Sequence, residues 1–270
     1  MTFRNPAFRQ RTASAALMAV CLLFARHAAA ENIVPACRFE TLGTSAAIAV
    51  TDGRNFRLAD GRDIKLLGLD VPQGSSGTVA RASKAALEDL VLGKDVALTA
   101  PSDSADRYGR IAAFAFVNGS ETPVQYNLLA QGRARVSANV KESACLLALF
   151  SEERKAREAG IGLWADPGYA VRAAADGQAI RSQRGRFVVA EGRVVSVRDS
   201  GGTIYVNFGR RWSEALTVTI VKRNAPSFSA AGIDSKTLEG RVVRIRGYVD
   251  VRNGPVIEAT RPEQIEVAGR

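Results

Sequence analysis

Short apolar runs open the chain's ordered pattern, at 46–51, 55–59 and 63–69, with the Asp-Gly pairs Asp52-Gly53 and Asp60-Gly61 between them. A period of two broken by Asp-Gly predicts strands joined by tight turns. The period then lengthens. In VARASKAALEDLVLG the apolar residues Val79, Ala82, Ala86, Leu87 and Leu90 recur at helical spacing, and Gly93 ends the run, so a helix is expected. Strands are expected again at 96–99 and 111–117, a helix at 124–131, and a long amphipathic helix over SACLLALFSEERKAREAG, ending at Gly160. On that last helix Glu152, Glu153, Arg154, Lys155, Arg157 and Glu158 read as a solvated face with intrahelical pairs. Short strands around one helix predict a small closed barrel of the oligonucleotide-binding type, with helices added at its end.

Apolar periodicity lapses over YAVRAAADGQAIRSQRGR, 169–186, which reads as a linker with a short helical turn. After it the pattern is nearly all strand: FVVAEGRVVSVRD, TIYVNFG, LTVTIV, RVVRIRGYVDV and PVIEA, with a helix around 228–238. The expected architecture is mainly β with α, an α+β chain of two consecutive five-stranded barrels at 46–168 and 187–268. Tyr205, Phe208 and Trp212 are either core and rim residues or a stacking platform for single strands. Trp164 reads as core.

The first thirty residues change the charge and the chemistry. Arg4, Arg9 and Arg11 precede an apolar run from 15 to 25, and Ala28-Ala29-Ala30 precedes Glu31. That is a signal-peptide pattern, so an exported protein, periplasmic or secreted, is expected, with 31–45 as an N-terminal segment and no membrane span in the mature chain. Loss of the leader's four arginines lowers the formal net charge from +10 to +6, still a surplus that favours polyanionic partners. His27, the one histidine, goes with it. Ser-His-Asp and Cys-His catalysis and imidazole-based zinc sites are thereby excluded from the mature chain. Cys37 and Cys145 remain; in an oxidising compartment they form either a disulfide, the expected state, or two separate buried thiols.

Three separated motifs then line up: DGRNFRL with LLGLDVPQ, DRYGR at 106–110, and GIGLWADP at 160–167. In this order and spacing they resemble the thermonuclease, or staphylococcal nuclease-like, family over roughly 46–167. LEGRVVRIRGYVD and GPVIEATRPEQIE resemble, less specifically, oligonucleotide-binding domains of bacterial exported proteins. The first resemblance implies a calcium-dependent hydrolase of DNA and RNA. By position it implies a metal-binding Asp where this chain has Arg54, Thr where it has Asn55, a phosphate-gripping Arg where it has Lys65, and a general-base Glu where it has Gln73. Asp70 keeps a second metal-binding position, Val71 keeps the backbone carbonyl, and Arg110 keeps the second phosphate-gripping position.

Calcium takes six to eight oxygen ligands, mostly carboxylates. A guanidinium at one ligand position replaces attraction with repulsion. Gln73 has no proton equilibrium near neutrality, so it cannot take a proton from water. Lys65 keeps charge and loses the planar fork. No cofactor is therefore expected, though the resemblance implies calcium. Arg54, Lys65, Arg110 and Tyr108 are expected as a ligand-binding cup for nucleic acid or another polyanion, with Phe56, Arg57 and Arg107 nearby. Plainer roles stand beside these: Arg54 as a solvated turn residue, Asp70 as a turn cap, Arg110 and Tyr108 as packing. Two further readings remain open, a phosphodiesterase with Asp52, Asp63 or Asp70 around a metal and Gln73 positioning water, and an envelope interaction scaffold.

Overall fold

The computed structural model describes residues 1–2, 37–74, 77–234 and 237–267. Apart from Met1 and Thr2, the expected leader lies outside the described residues, as does 31–36.

Alternation in the first half builds β1 (Glu40–Val50), β2 (Asn55–Leu58) and β3 (Asp63–Leu66). The run expected as one strand from 63 to 69 breaks at Leu67-Gly68, and β4 (Leu69–Asp70) leaves in a new direction. Gly68 has φ +86°, a conformation that side chains rarely adopt, and a Cβ there would lie 3.0 and 3.1 Å from the Leu149 and Val140 side chains. Next come α1 (Thr78–Val91), β5 (Asp95–Ala100), β6 (Arg110–Val117), α2 (Val124–Ala130), β7 (Arg135–Val136) and α3 (Ser143–Glu158). The sheet closes in the order β1-β2-β3-β6-β5. Its long strand β1 pairs with β2 through Val50↔Phe56 and with β5 through Glu40↔Ala100, on either side of an irregular register. The parallel pair β3 and β6 aligns Asp63 with Arg110 and Lys65 with Ala112. That register sets the candidate cations on neighbouring strands.

Inward residues Phe56, Leu58, Ile64, Leu66, Leu98 and Phe114 fill the barrel. Phe56 is therefore core and offers no ring to a ligand. At GIGLW, Gly132 and Gly162 meet backbone to backbone; a Cβ on Gly162 would lie 2.2 Å from the Gly132 carbonyl oxygen. This contact seats Trp164, which is buried with Ala156, Leu163, Phe187 and Val189. Cys37 and Cys145 form a disulfide spanning 108 residues, which ties the segment before β1 to α3.

The second half contains β8 (Arg172–Ala173), α4 (Gly177–Arg181), β9 (Phe187–Arg193), β10 (Ser196–Ser200), β11 (Thr203–Asn207), β12 (Thr217–Val221), α5 (Ala225–Ala230), β13 (Val242–Val251), β14 (Pro255–Glu258) and β15 (Ile265–Val267). They form an eight-stranded sheet, β10-β11-β12-β14-β13-β9-β8, with β15 on β13. Five runs were expected. The first of them bends at Val194 into β9 and β10, while β8 and β15 are too short to carry a period. The 169–186 segment is more than a tether: β8 pairs in parallel with β9, and Asp176 caps α4 by accepting from the Ala179 N–H. The described residues from 37 onward belong to one compact unit.

The seam between the halves corrects the reading of α3's charged face. Glu153 and Arg246 are each fully buried. Arg246 Nη1 donates to Glu153 Oε2 at 2.9 Å and to the Val136 carbonyl at 2.9 Å, and Arg246 Nη2 pairs with Glu266. The Val136 N–H donates to Glu153 Oε2 at 2.5 Å, and Arg157 bridges Glu153 Oε1 at 2.9 Å. Arg246 also lies over the Phe150 ring. A charge this deep stands only because its partners are equally fixed. Among the described residues, no helix is long and apolar enough to cross a membrane.

Candidate functional site

The hairpin 52–73 builds one wall of the site. Asp52 closes the turn after β1: its Oδ1 accepts from the N–H groups of Arg54 (2.8 Å) and Asn55 (2.9 Å), and its Oδ2 accepts from Asn55 Nδ2 at 2.7 Å. Such an Asx turn occupies the carboxylate with local donors. A Cβ on Gly53 would lie 2.8 Å from Ser83 Cβ, so the turn is held hard against α1. Asp63 is likewise engaged, receiving Arg57 Nε and Nη2 at 2.8 Å each. That pair takes Arg57 out of the cup.

Asp70 has the most consequential surroundings. It ends β4, is only 3 % exposed, and accepts from Arg135 Nη2 at 2.7 Å and Nε at 3.2 Å. Arg135 sits on β7, antiparallel to β4 with Asp70↔Arg135 in register. Its guanidinium carbon lies 5.1 Å from the ring centres of both Tyr169 and Phe187, and Nη2 also donates to the Phe187 carbonyl at 3.0 Å. Burial pushes the Asp70 carboxyl up, while Arg135 and then Arg54 act against that rise. Gln73 Nε2 donates to the Val71 carbonyl at 2.9 Å, and Arg54 Nη1 donates to the Leu69 carbonyl at 3.1 Å. The oxygen atoms that the resemblance offers to calcium thus already face cations or N–H donors. Among the described residues, no group of three or more His, Cys, Asp and Glu could hold a metal ion. The residues present do not fit a calcium ion, which needs several converging hard oxygens.

The cations do converge. Lys65 is half-buried on β3, and its ammonium is pushed down by burial and by the Arg54 and Arg110 guanidiniums, with Asp106 and Asp52 opposing. Among the described residues it makes no hydrogen bond or ion pair. Arg54 has its Nε buried without a partner. Arg110 is less free. Its Nη2 and Nε reach Asp106 Oδ2 at 2.8 and 3.1 Å, and these bonds, with lesser backbone ones, pull the Asp106 carboxyl down to about 2. Tyr108, 61 % exposed, has the guanidiniums of Arg107 and Arg110 4.8 and 4.9 Å from its ring centre.

The second sheet supplies the opposite wall. A cleft of about 530 Å³ is lined by Arg54 and Lys65 on one side and by Tyr248, Arg261 and Gln264 on the other, with Asn139 between. Tyr248, Arg261 and Arg135 were not singled out from the sequence, and Arg246 was read, with Arg241 and Arg244, only as forming no single basic stripe. Two signals existed. Asp70 lies in the apolar run LLGLDV, where a buried carboxylate needs a cation, and Arg246 alternates with Ile245 and Val243 on a strand.

Residues 63–166 match the family model described as Staphylococcal nuclease homologue. The matched segment includes β3 to β7, α3 and the GIGLW corner, and it is a staphylococcal-nuclease-like domain. No curated protein matches the chain.

Proposed function

We propose that this is an exported thermonuclease-like protein that grips the phosphate groups of nucleic acid, or of a similar polyanion, and does not cut it efficiently. The observation that carries the reading is the contrast within one hairpin. Lys65 is desolvated beside two guanidiniums and, among the described residues, has no hydrogen-bond or ion-pair acceptor, whereas Asp70 is consumed by Arg135. A phosphate oxygen in the cleft would accept from the Lys65 ammonium and the Arg54 guanidinium, relieving their mutual repulsion. Charge-assisted bonds of this kind are shorter and about twice as strong as neutral ones. Arg110 adds field from behind its Asp106 partner. Hydrolysis lacks two supports. Gln73 spends its amide on the Val71 carbonyl and has no proton to exchange near neutrality. The carboxylate that would hold a metal is already neutralised. A general base is worth ~10²–10⁴-fold, so a chain without one binds far better than it cleaves. The disulfide supports export, because such bonds persist in oxidising compartments.

The test uses the chain from Glu31 to Arg270 and an end-labelled single-stranded oligonucleotide. Anisotropy is expected to fall steeply with salt, and Lys65→Ala to flatten that dependence by about one charge. Salt-insensitive binding, or binding that Lys65→Ala leaves untouched, would overturn the reading.

A further inference from the structure

We infer that the second sheet carries a stacking site for unpaired nucleobases, made by Tyr205 and Trp212 and continuous with the cationic cleft. This rests on the phosphate-binding reading above and extends it to the class of polymer bound.

Strand register makes the connection. Arg198 pairs with Tyr205, Tyr205 with Thr219, and Thr219 with Glu258 across β10, β11, β12 and β14. Residues directly paired across strands share a face of the sheet. Glu258 lines the cleft with Arg54, Lys65 and Tyr248. Neighbouring strands lie about 4.8 Å apart, so Tyr205 is two steps, roughly 10 Å, from Glu258. A chain of nucleotides can span that distance along the sheet.

At the end of this row the rings are already stacked. Tyr205 and Trp212 have centroids 6.2 Å apart and planes within 4°. Trp212 is nonetheless 52 % exposed. Its loop is pinned to the cleft's rim: a Cβ on Gly254 would fall 1.8 Å from the Trp212 carbonyl oxygen, and Arg252 of the same turn lines the cleft. Between cleft and rings, Thr219 Oγ1 is buried without a hydrogen-bond partner. Arg198 and Arg210, both exposed, form no ion pair among the described residues. One half-exposed indole is too small an apolar patch to dock a protein, whose interfaces need about 800 Å² per partner. It matches a base, whose π-face stacks on aromatic rings whatever its sequence. Bases inside a duplex are stacked on each other and cannot reach it.

The chain has two tryptophans, and Trp164 is buried. In a Trp164→Phe background, Trp212 reports alone. Oligothymidylate is expected to quench its fluorescence, while base-free polyphosphate binds without quenching. By anisotropy, Trp212→Ala is expected to weaken oligothymidylate roughly 5- to 100-fold with an unchanged salt slope, and Trp212→Phe to keep most of the affinity. Duplex of equal length is expected to be insensitive to Trp212→Ala. If Trp164→Phe does not fold, Trp212→Ala in the unaltered background decides. Tight, Lys65-dependent binding that Trp212→Ala leaves unchanged would overturn the stacking site and leave the phosphate grip standing. Equal quenching by polyphosphate would also overturn it. Absence of oligonucleotide binding by the unsubstituted chain would overturn both.

Discussion

Two clusters of cations lie in this molecule, and they are built in opposite ways. At the seam, Arg246 and Arg157 meet Glu153, and Arg246 meets Glu266 as well. In the cleft, Arg54, in the turn before β2, lies near Lys65 on β3, and among the described residues Lys65 makes no hydrogen bond or ion pair. Burial explains the first arrangement, since an unpaired charge inside a protein costs several kcal/mol. It does not explain the second, because a half-buried lysine beside two guanidiniums loses free energy. Neutralised cations hold the halves together; the cleft's cations are the ones that an anion from outside would relieve. Asp70 and Arg135 belong to the first kind, although they occupy the ground of the second. Asp70 here is one half of a buried ion pair.

The comparison can be broken most forcefully at the seam. Arg246→Ala leaves Glu153 buried without its main partner and is expected to destabilise by about 3–5 kcal/mol, read as a lowered urea midpoint with binding per folded molecule unchanged. The disulfide comes next. Cys37→Ala with Cys145→Ala opens a long loop and is expected to cost about 2–5 kcal/mol, seen as a fall in Tm. In the cleft the effects should reverse in kind. Lys65→Ala is expected to leave stability unchanged or raise it slightly, as it removes a desolvated charge, while oligonucleotide affinity and its salt slope fall. Chemical denaturation and anisotropy on one preparation separate the two. The smallest effect concerns Asp106, whose folded value of about 2 lies below the ordinary 3.8. A depressed carboxylate contributes stability above its unfolded value. That contribution should be lost as pH falls from about 4 toward 2, and carboxyl NMR of Asp106 should report the midpoint directly.

Much of the architecture was legible because it repeats locally. Alternation and Asp-Gly turns marked β1 to β3, and apolar spacing marked α1 and α3. Arg54, Lys65 and Arg110 could be brought together because one hairpin and one parallel pairing control them. What escaped lies in pairings between distant segments. Arg135 and Asp70 are 65 residues apart and meet through two-residue strands that have no period to read. Glu153 lies in a helical run of charges that looks solvated, and only Arg246, 93 residues on, reveals it as buried. The second sheet's eight strands exceed the five visible runs because one run bends into β9 and β10, and β8 and β15 are too short to alternate. The cleft's far wall, Tyr248 and Arg261, depends on how the halves pack, which no local pattern encodes.

A nuclease-like domain built this way is expected to hold its polymer without cutting it. The most direct measurement follows anisotropy and strand integrity together, in the same tubes, for end-labelled single-stranded DNA and RNA. Calcium, magnesium, manganese and chelator are compared, with Asp70→Ala beside the unsubstituted chain. Intact strands are expected in every tube, with salt-sensitive binding that chelator does not weaken. Shortening that requires a divalent ion and disappears in Asp70→Ala would contradict this, because Asp70 would then be serving a metal and not Arg135.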